Sequence, residues 1–270
     1  MKEQIKYILQ NSHNPQQARL LLREYLQHVI LRQLFEMKLL QELVFQGGTA
    51  LRIIYGLNRF SEDLDFQLLN APSRYSITAT ILKLRRNLEK QGYLISDTSV
   101  NEKTVSSTFI WFEGLLAEFG LSLHSNEKLS VKIDLDTNPP DGYGKQAILI
   151  NRYFPFSLIQ HDLPSFLSGK LHAVLQRAYT KGRDYYDLVF LLSRWKGLKP
   201  NIPFLSNTLT QTGYSGEPVT EQNWREIILR RINETEWDEV INDVEPFLES
   251  NVDLQLLTRE NLIQLLSENH

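Results

Sequence analysis

From Pro15 to Glu42 the apolar positions Leu20, Leu21, Tyr25, Val29, Leu31, Leu34, Phe35, Leu39 and Leu40 recur at mixed three- and four-residue steps. That spacing predicts an amphipathic helix with room for one break. LVFQ (Leu43–Gln46) reads as a short buried strand ended by Gly47-Gly48, and Thr49 is placed to cap a short helix over Ala50–Tyr55. After the turn Gly56-Leu57-Asn58, Leu64, Phe66 and Leu68 alternate with Asp63, Asp65 and Gln67, the period of a strand. A helix over roughly Tyr75–Gln91 follows, then β-like stretches near Tyr93–Val100, Val105–Phe112 and Ala117–Leu123. Val131–Asp136 alternates cleanly and runs into the turn cluster Pro139-Pro140-Asp141-Gly142. Beyond Pro164 the pattern is helical: Pro164–Thr180, Asp184–Trp195, a Pro/Ser/Thr/Gly-rich loop over Lys199–Pro218, then Glu221–Ile232, Trp237–Leu248 and Leu254–Leu266. The expected organisation is a helical arm (1–42), a mixed α/β core (43–160) and a helical lobe (161–270).

Composition narrows the function classes. With 270 residues, 42% hydrophobic and 23% charged, the chain has the make-up of an ordinary soluble protein. Without Cys there is no disulfide framework, zinc knuckle or thiol nucleophile. The six His show no ligand spacing, so a metal here is expected on oxygen, which favours Mg²⁺ or Mn²⁺ over zinc. The N-terminal stretch lacks a secretory pattern, and no apolar run approaches the roughly 20 residues of a membrane span, so the expected compartment is the cytoplasm, with no membrane partner.

Four stretches carry candidate chemistry. Gly47-Gly48-Thr49-Ala50 stands between a strand and a helix, where backbone N–H groups suit phosphate, although Gly-Gly before a helix is commonly just a tight turn. In Ser61-Glu62-Asp63-Leu64-Asp65-Phe66, strand geometry puts Asp63 and Asp65 on one face, as a divalent-cation site for phosphoryl transfer requires. A second DLD at Asp134–Asp136 keeps a solvated strand face open as the plainer reading. Within that second DLD, Asp134 suits a third carboxylate better than Asp136, which leads straight into a turn. In GKLHAVLQRAYTKGRDYYDL, Lys170 and Arg177 lie two helical turns apart on nearly the same face. The plainer reading there is a solvated basic face with an Arg183–Asp187 pair at i,i+4, and Asp184 as the N-cap of the next helix.

The segments GGTALRIIYGLNRFSEDLDF, VKIDLD and GKLHAVLQRAYTKGRDYYDL closely resemble the three blocks of the AbiEii/AbiGii-type nucleotidyltransferase toxins, a polymerase-β-like group that includes the mycobacterial MenT proteins. The resemblance spans roughly Phe45 to Leu192. It implies an α+β fold, with a polymerase-β-like core of mixed sheet and flanking helices plus an all-helical C-terminal lobe. It further implies Gly48 and Thr49, beside Gly47 of the same turn, as phosphate-holding residues, Asp63 and Asp65 as metal ligands, and Asp134 as the third-strand acid. Lys170, with Arg177 nearby, would contact the triphosphate, and Asp187 would be the last motif's acid, with Asp184 competing for that role. Thr49 stands where serine is commoner. The implied activity is metal-dependent transfer of a nucleotide from an NTP to RNA, such as the tRNA 3′ end, by the toxin of a toxin–antitoxin pair.

The net charge of −3 hides a strong division. Residues 170–199 hold seven Lys/Arg against two Asp, a local +5 that suits a nucleic-acid acceptor. Residues 232–270 hold ten acids and one Arg, a local −9 that suits a solvated helical cap or docking by a basic partner such as a cognate antitoxin. Trp111, Phe112, Tyr185, Tyr186 and Trp195 are aromatic enough to stack bases, yet their spacing places most of them in the core. Two rival functions stay open: a small-molecule, antibiotic-type nucleotidyltransferase using the same site, and a catalytically silent interaction module.

Overall fold

The computed structural model describes residues 2–10, 12–70, 76–96, 98, 100–101 and 103–268. In chain order the helices and strands are α1 (Lys2–Leu9), α2 (Pro15–Glu36), β1 (Leu43–Gln46), α3 (Gly47–Tyr55), β2 (Asp63–Leu68) and α4 (Ile77–Lys90). Then come β3 (Leu94–Ile95), β4 (Val100–Asn101), β5 (Val105–Glu113), α5 (Leu115–Glu118), β6 (Leu129–Asp136), β7 (Lys145–Asn151) and β8 (Pro155–His161). The remainder is helical: α6 (Leu163–Gln176), α7 (Gly182–Arg194), α8 (Ile202–Gln211), α9 (Trp224–Glu234), α10 (Trp237–Val244), α11 (Asn251–Leu256) and α12 (Arg259–Glu268). Backbone contacts divide the chain into two units. The first comprises residues 1–55, 60–139 and 147–160, and the second comprises 56–59, 140–146 and 161–270.

The mixed sheet runs β3-β5-β6-β2-β1-β8-β7, with β4 paired to β5. β2 pairs antiparallel with β1 and parallel with β6, while β1 pairs parallel with β8. In the first unit Leu64 and Phe66 of β2 and Ile133 and Leu135 of β6 share a buried face against Leu34 of α2 and Ile77 and Ile81 of α4. The second unit packs α6 and α7 against each other, with α8, α9, α10 and α12 around them. Its core includes Leu167, Leu171, Leu188, Leu191, Trp224, Ile228, Val240 and Leu262.

Several elements differ from the sequence expectation. Lys38, in the left-handed region at φ 63°, ends the long helix, and a 3₁₀ turn at Leu39–Gln41 follows. That is the one break the pattern allowed. The α2 helix is buried nearly all round, including Glu24, Gln27 and His28, because a buried Glu24–Arg52 ion pair satisfies its second face. The stretch Ala117–Leu123 is not a strand: Gly114 at φ 73° ends β5, and LLAE turns into α5. The loop expected over Lys199–Pro218 contains α8, started by Asn201, whose side chain accepts from the Phe204 N–H, with Pro203 in the first turn. Strands β7 and β8 were not anticipated. The start expected for α4 at Tyr75 lies outside the described residues.

Burial pushes three histidines toward the neutral form, His28, His161 and the half-buried His172. His28 is fully buried with Nδ1 2.8 Å from the Glu24 carbonyl, and burial pushes its pKa down to about 4. His161, against the rings of Tyr143, Phe166 and Phe204, is likewise pushed down to about 4 by burial. An unfolded histidine titrates near 6.5, so between about pH 6.5 and 4 the unfolded chain binds more protons than the folded one. Stability is therefore full above pH 6.5 and falls on acidification, by up to roughly 3 kcal/mol per histidine. Urea denaturation at steps from pH 7 to 4.5 should show that decline, with a shallower slope in His161→Phe.

Candidate active site

The Gly-Gly-Thr turn is built against β2. Gly47, the first residue of α3, sits at φ 77°, and a Cβ there would fall 2.1 Å from Asp65 Oδ2. Glycine is thus required twice, for the left-handed backbone and for the close approach. Thr49 is fully buried, and its hydroxyl donates to the Asp63 carbonyl instead of capping the helix. The first turn of α3 is in this way tied to the strand that carries the acids, with its leading N–H groups lacking intrahelical acceptors. The segment before β2 is anchored to α2, since Arg23 pairs with Glu62 at 2.6 Å and Gln27 donates to the Ser61 carbonyl.

On the sheet, Asp63 stands opposite Lys132, and Asp65 opposite Asp134. Asp134 accepts from Ser107 Oγ at 2.6 Å and from Lys132 Nζ at 2.6 Å. Asp136 stands one step along, opposite Gln67, and accepts from the Asn138 N–H in the turn that follows. The Lys132 ammonium is opposed by partial burial, yet its hydrogen bond to Asp134 and the charges of Asp134, Asp63 and Asp65 hold its pKa above the usual lysine value. Among the described residues no three acids or histidines are gathered closely enough to hold a metal ion. Instead the field of the three aspartates falls on an internal cation. Carboxylate oxygen is the donor a hard divalent ion takes, but such an ion would have to draw these aspartates closer and displace the Lys132 ammonium from Asp134.

A second charged cluster lies in the helical unit. Lys170 Nζ of α6 sits 2.9 Å from Asp184 and 2.7 Å from Asp187, both on α7. Arg59 donates to both Asp187 oxygens through Nε and Nη2, at 2.7 and 2.6 Å. Arg177, at the C-cap of α6, donates to Asp184 at 2.9 Å. Burial opposes ionisation of Asp184, but Lys170 and Arg177 outweigh it and hold its pKa down at about 2. Arg59 and Lys170, both opposed by burial, are held above their ordinary values by these two aspartates.

Two sequence readings are corrected by this cluster. Asp184 does not cap α7, since Lys181 occupies the N-cap position and Asp184 faces Lys170 and Arg177. Arg183 does not pair with Asp187, because Asp243 takes it and Arg59 and Lys170 take Asp187. Arg59 was missed. The signal available was Asp187 itself, an acid set among Tyr186, Leu188 and Leu191 on a buried helix face, which requires a cation from somewhere. The aromatic residues divide as well: Phe112, Tyr185 and Tyr186 are core, whereas Trp111 is 37% exposed.

Two stability measurements check this geometry. Gly47→Ala should lose about 2 kcal/mol or more, because it adds a collision with Asp65 to the left-handed strain. Gly56→Ala, at φ 74° with open space around the new Cβ, should lose only about 1 kcal/mol from strain. Arg59→Ala should cost about 3 kcal/mol in urea denaturation by taking the bidentate partner from a fully buried carboxylate and leaving it Lys170 alone, and Arg59→Ala/Asp187→Ala should recover part of that loss.

Comparison with known proteins agrees with the fold. A crystal structure of JHP933 from Helicobacter pylori superposes with a TM-score of 0.57 at 19% identity, covering 92% of this chain and 91% of that one. A candidate nucleotidyltransferase from H. pylori superposes with a TM-score of 0.52 at 19% identity, covering 92% of both chains. No curated protein matches the sequence. The family description "nucleotidyl transferase AbiEii toxin, type IV TA system" matches residues 29–259, most of the chain. This chain belongs to the AbiEii nucleotidyl transferase toxin family of type IV toxin–antitoxin systems and is a nucleotidyltransferase.

Proposed function

We propose that this enzyme transfers a nucleoside monophosphate from an NTP to the terminal hydroxyl of an RNA acceptor such as the tRNA 3′ end, acting in the cytoplasm as a toxin held in check by a cognate antitoxin. The observation that carries the reading is the pairing of Asp65 with Asp134, on the same face as Asp63, beside the Gly47–Thr49 turn. In this reading Asp63, Asp65 and Asp134 would hold Mg²⁺ or Mn²⁺, which supplies charge neutralisation at the phosphates and acidifies a hydroxyl when bound. Gly47, Gly48 and Thr49 offer backbone N–H groups to phosphate oxygens. Lys170 and Arg177 carry the triphosphate-binding role that the resemblance in sequence implies for them. The acceptor oxygen attacks the α-phosphorus, the α–β bridging P–O bond breaks, and an Asp134 carboxylate oxygen takes the hydroxyl proton. Asp187 holds Lys170 in place, itself fixed by Arg59. No helix among the described residues is long and apolar enough to cross a membrane. The acidic C-terminal segment offers a basic antitoxin a complementary surface.

The test is incubation with each labelled NTP and total RNA, with and without Mg²⁺ or Mn²⁺. Label should enter RNA only with the cation, and Asp63→Ala or Asp65→Ala should cut transfer at least about a hundredfold with an unchanged melting temperature. Label entering small molecules alone would replace the RNA reading by an antibiotic-type transferase. Full transfer in either variant would remove the aspartates from the metal site.

A further inference from the structure

The row of carboxylates does not stop at β6. The antiparallel pairing of β5 with β6 sets Phe109 opposite Lys132, Ser107 opposite Asp134 and Trp111 opposite Ser130. Because Lys132 and Asp134 are in turn opposite Asp63 and Asp65, Phe109 lies in the same cross-sheet row as Asp63, two strands away. At ordinary strand spacing that is roughly 10 Å across the sheet. The alternate positions of β5, Ser106, Thr108, Ile110 and Phe112, face the core and are buried.

Phe109 and Trp111 therefore stand on the carboxylate face and in solvent, at 40% and 37% exposure. Their rings lie 5.5 Å apart with only 26° between planes, a stacked pair with no other ring against it among the described residues. Strand positions on a solvated face are ordinarily polar, and a pair of large rings held there only part-covered leaves apolar surface in water. Lys128 and Lys132 flank the pair, one salt-bridged to Glu113 and the other to Asp134, so the polar border is satisfied and the ring faces remain open.

Strand order gives this surface a direction. In the transferase reading the phosphate-holding turn follows β1, the two metal-ligand positions are on β2, and the third acid is on β6. The next strand in that sequence is β5. The leaving pyrophosphate belongs at the β1 end, so the attacking hydroxyl, beside Asp134, must arrive from the β5 end. We propose that Phe109 and Trp111 form a stacking platform for the nucleobase of the acceptor strand at its reacting 3′ end, which makes an unpaired, single-stranded terminus the preferred acceptor. The inference rests on the transferase reading above and adds to it the residues that receive the acceptor. Every nucleobase has a π face, so the platform accepts any base, and sequence preference has to come from elsewhere.

The experiment uses the full-length protein and a fluorescein-labelled single-stranded RNA octamer with a free 3′ hydroxyl, beside a matched octamer whose 3′ nucleotide is abasic. Phe109→Ala and Trp111→Ala should each weaken octamer binding, read by anisotropy, about tenfold. The abasic end should weaken wild-type binding similarly and make no further difference in Trp111→Ala, while Trp111→Phe restores affinity. In transfer assays the KM for RNA should rise and the KM for NTP should stay fixed. Equal octamer binding by wild type and both alanine variants would overturn the platform and leave the rings to a protein partner. A rise in the NTP KM instead would assign the rings to the incoming nucleotide and equally overturn it. Base-dependent binding without any transfer to the octamer would uphold the platform as a base-binding surface while sinking the RNA-acceptor reading.

Discussion

The parallel register between β2 and β6 is the constraint from which the first unit's chemistry follows. Leu64, Phe66, Ile133 and Leu135 must all face α2 and α4, and this forces Asp63, Asp65 and Asp134 together onto the opposite face. A slip of one residue would turn the aspartates into the apolar layer and the leucines into water, so the hydrophobic pattern locks the register. The aspartates repel one another once aligned. Lys132, brought by the same register into the middle of them, supplies the counter-charge, and Ser107 adds a hydrogen bond from β5.

The helical unit solves a related problem with different means. Asp184 and Asp187 are buried on α7, where an unpaired carboxylate would cost several kcal/mol. Each is contacted by two cations, and Lys170 is common to both. Three cations against two carboxylates leave the cluster with one formal positive charge in excess.

How much of this was legible in the sequence depends on the range of the interaction. The strand alternations around Asp63–Asp65 and Val131–Asp136, and the helices carrying Lys170 and Asp187, are local signals, and the structure places them close to where the periodicity does. Strand β8 was missed because its alternation lasts only over Pro155–Leu158 before the polar Gln160 and His161 are buried. Strand β7 was missed for the opposite reason, being mostly exposed and next to β8 alone. Helix α8 hid in a Ser/Thr-rich stretch although Asn201 and Pro203 spelled its start. The i,i+4 pairing of Arg183 with Asp187 lost to Arg59, 128 residues earlier in the chain, because a bidentate buried contact outweighs a solvated local one. Partner choice over that distance is a property of the fold. No window of sequence contains it.

The Arg59–Asp187 pair also bears on divisibility. Arg59 sits in a four-residue excursion, 56–59, that belongs with the helical unit although its neighbours on both sides belong with the sheet unit. A second excursion, 140–146, does the same, so the backbone passes between the units five times. No single cut yields two complete pieces: a fragment ending at 160 would carry Arg59 without its aspartate, and one starting at 161 would carry Asp187 without its arginine. The gene therefore cannot be dissected into a catalytic cassette and an accessory cassette, and any swap of the helical lobe between relatives has to bring both short excursions with it.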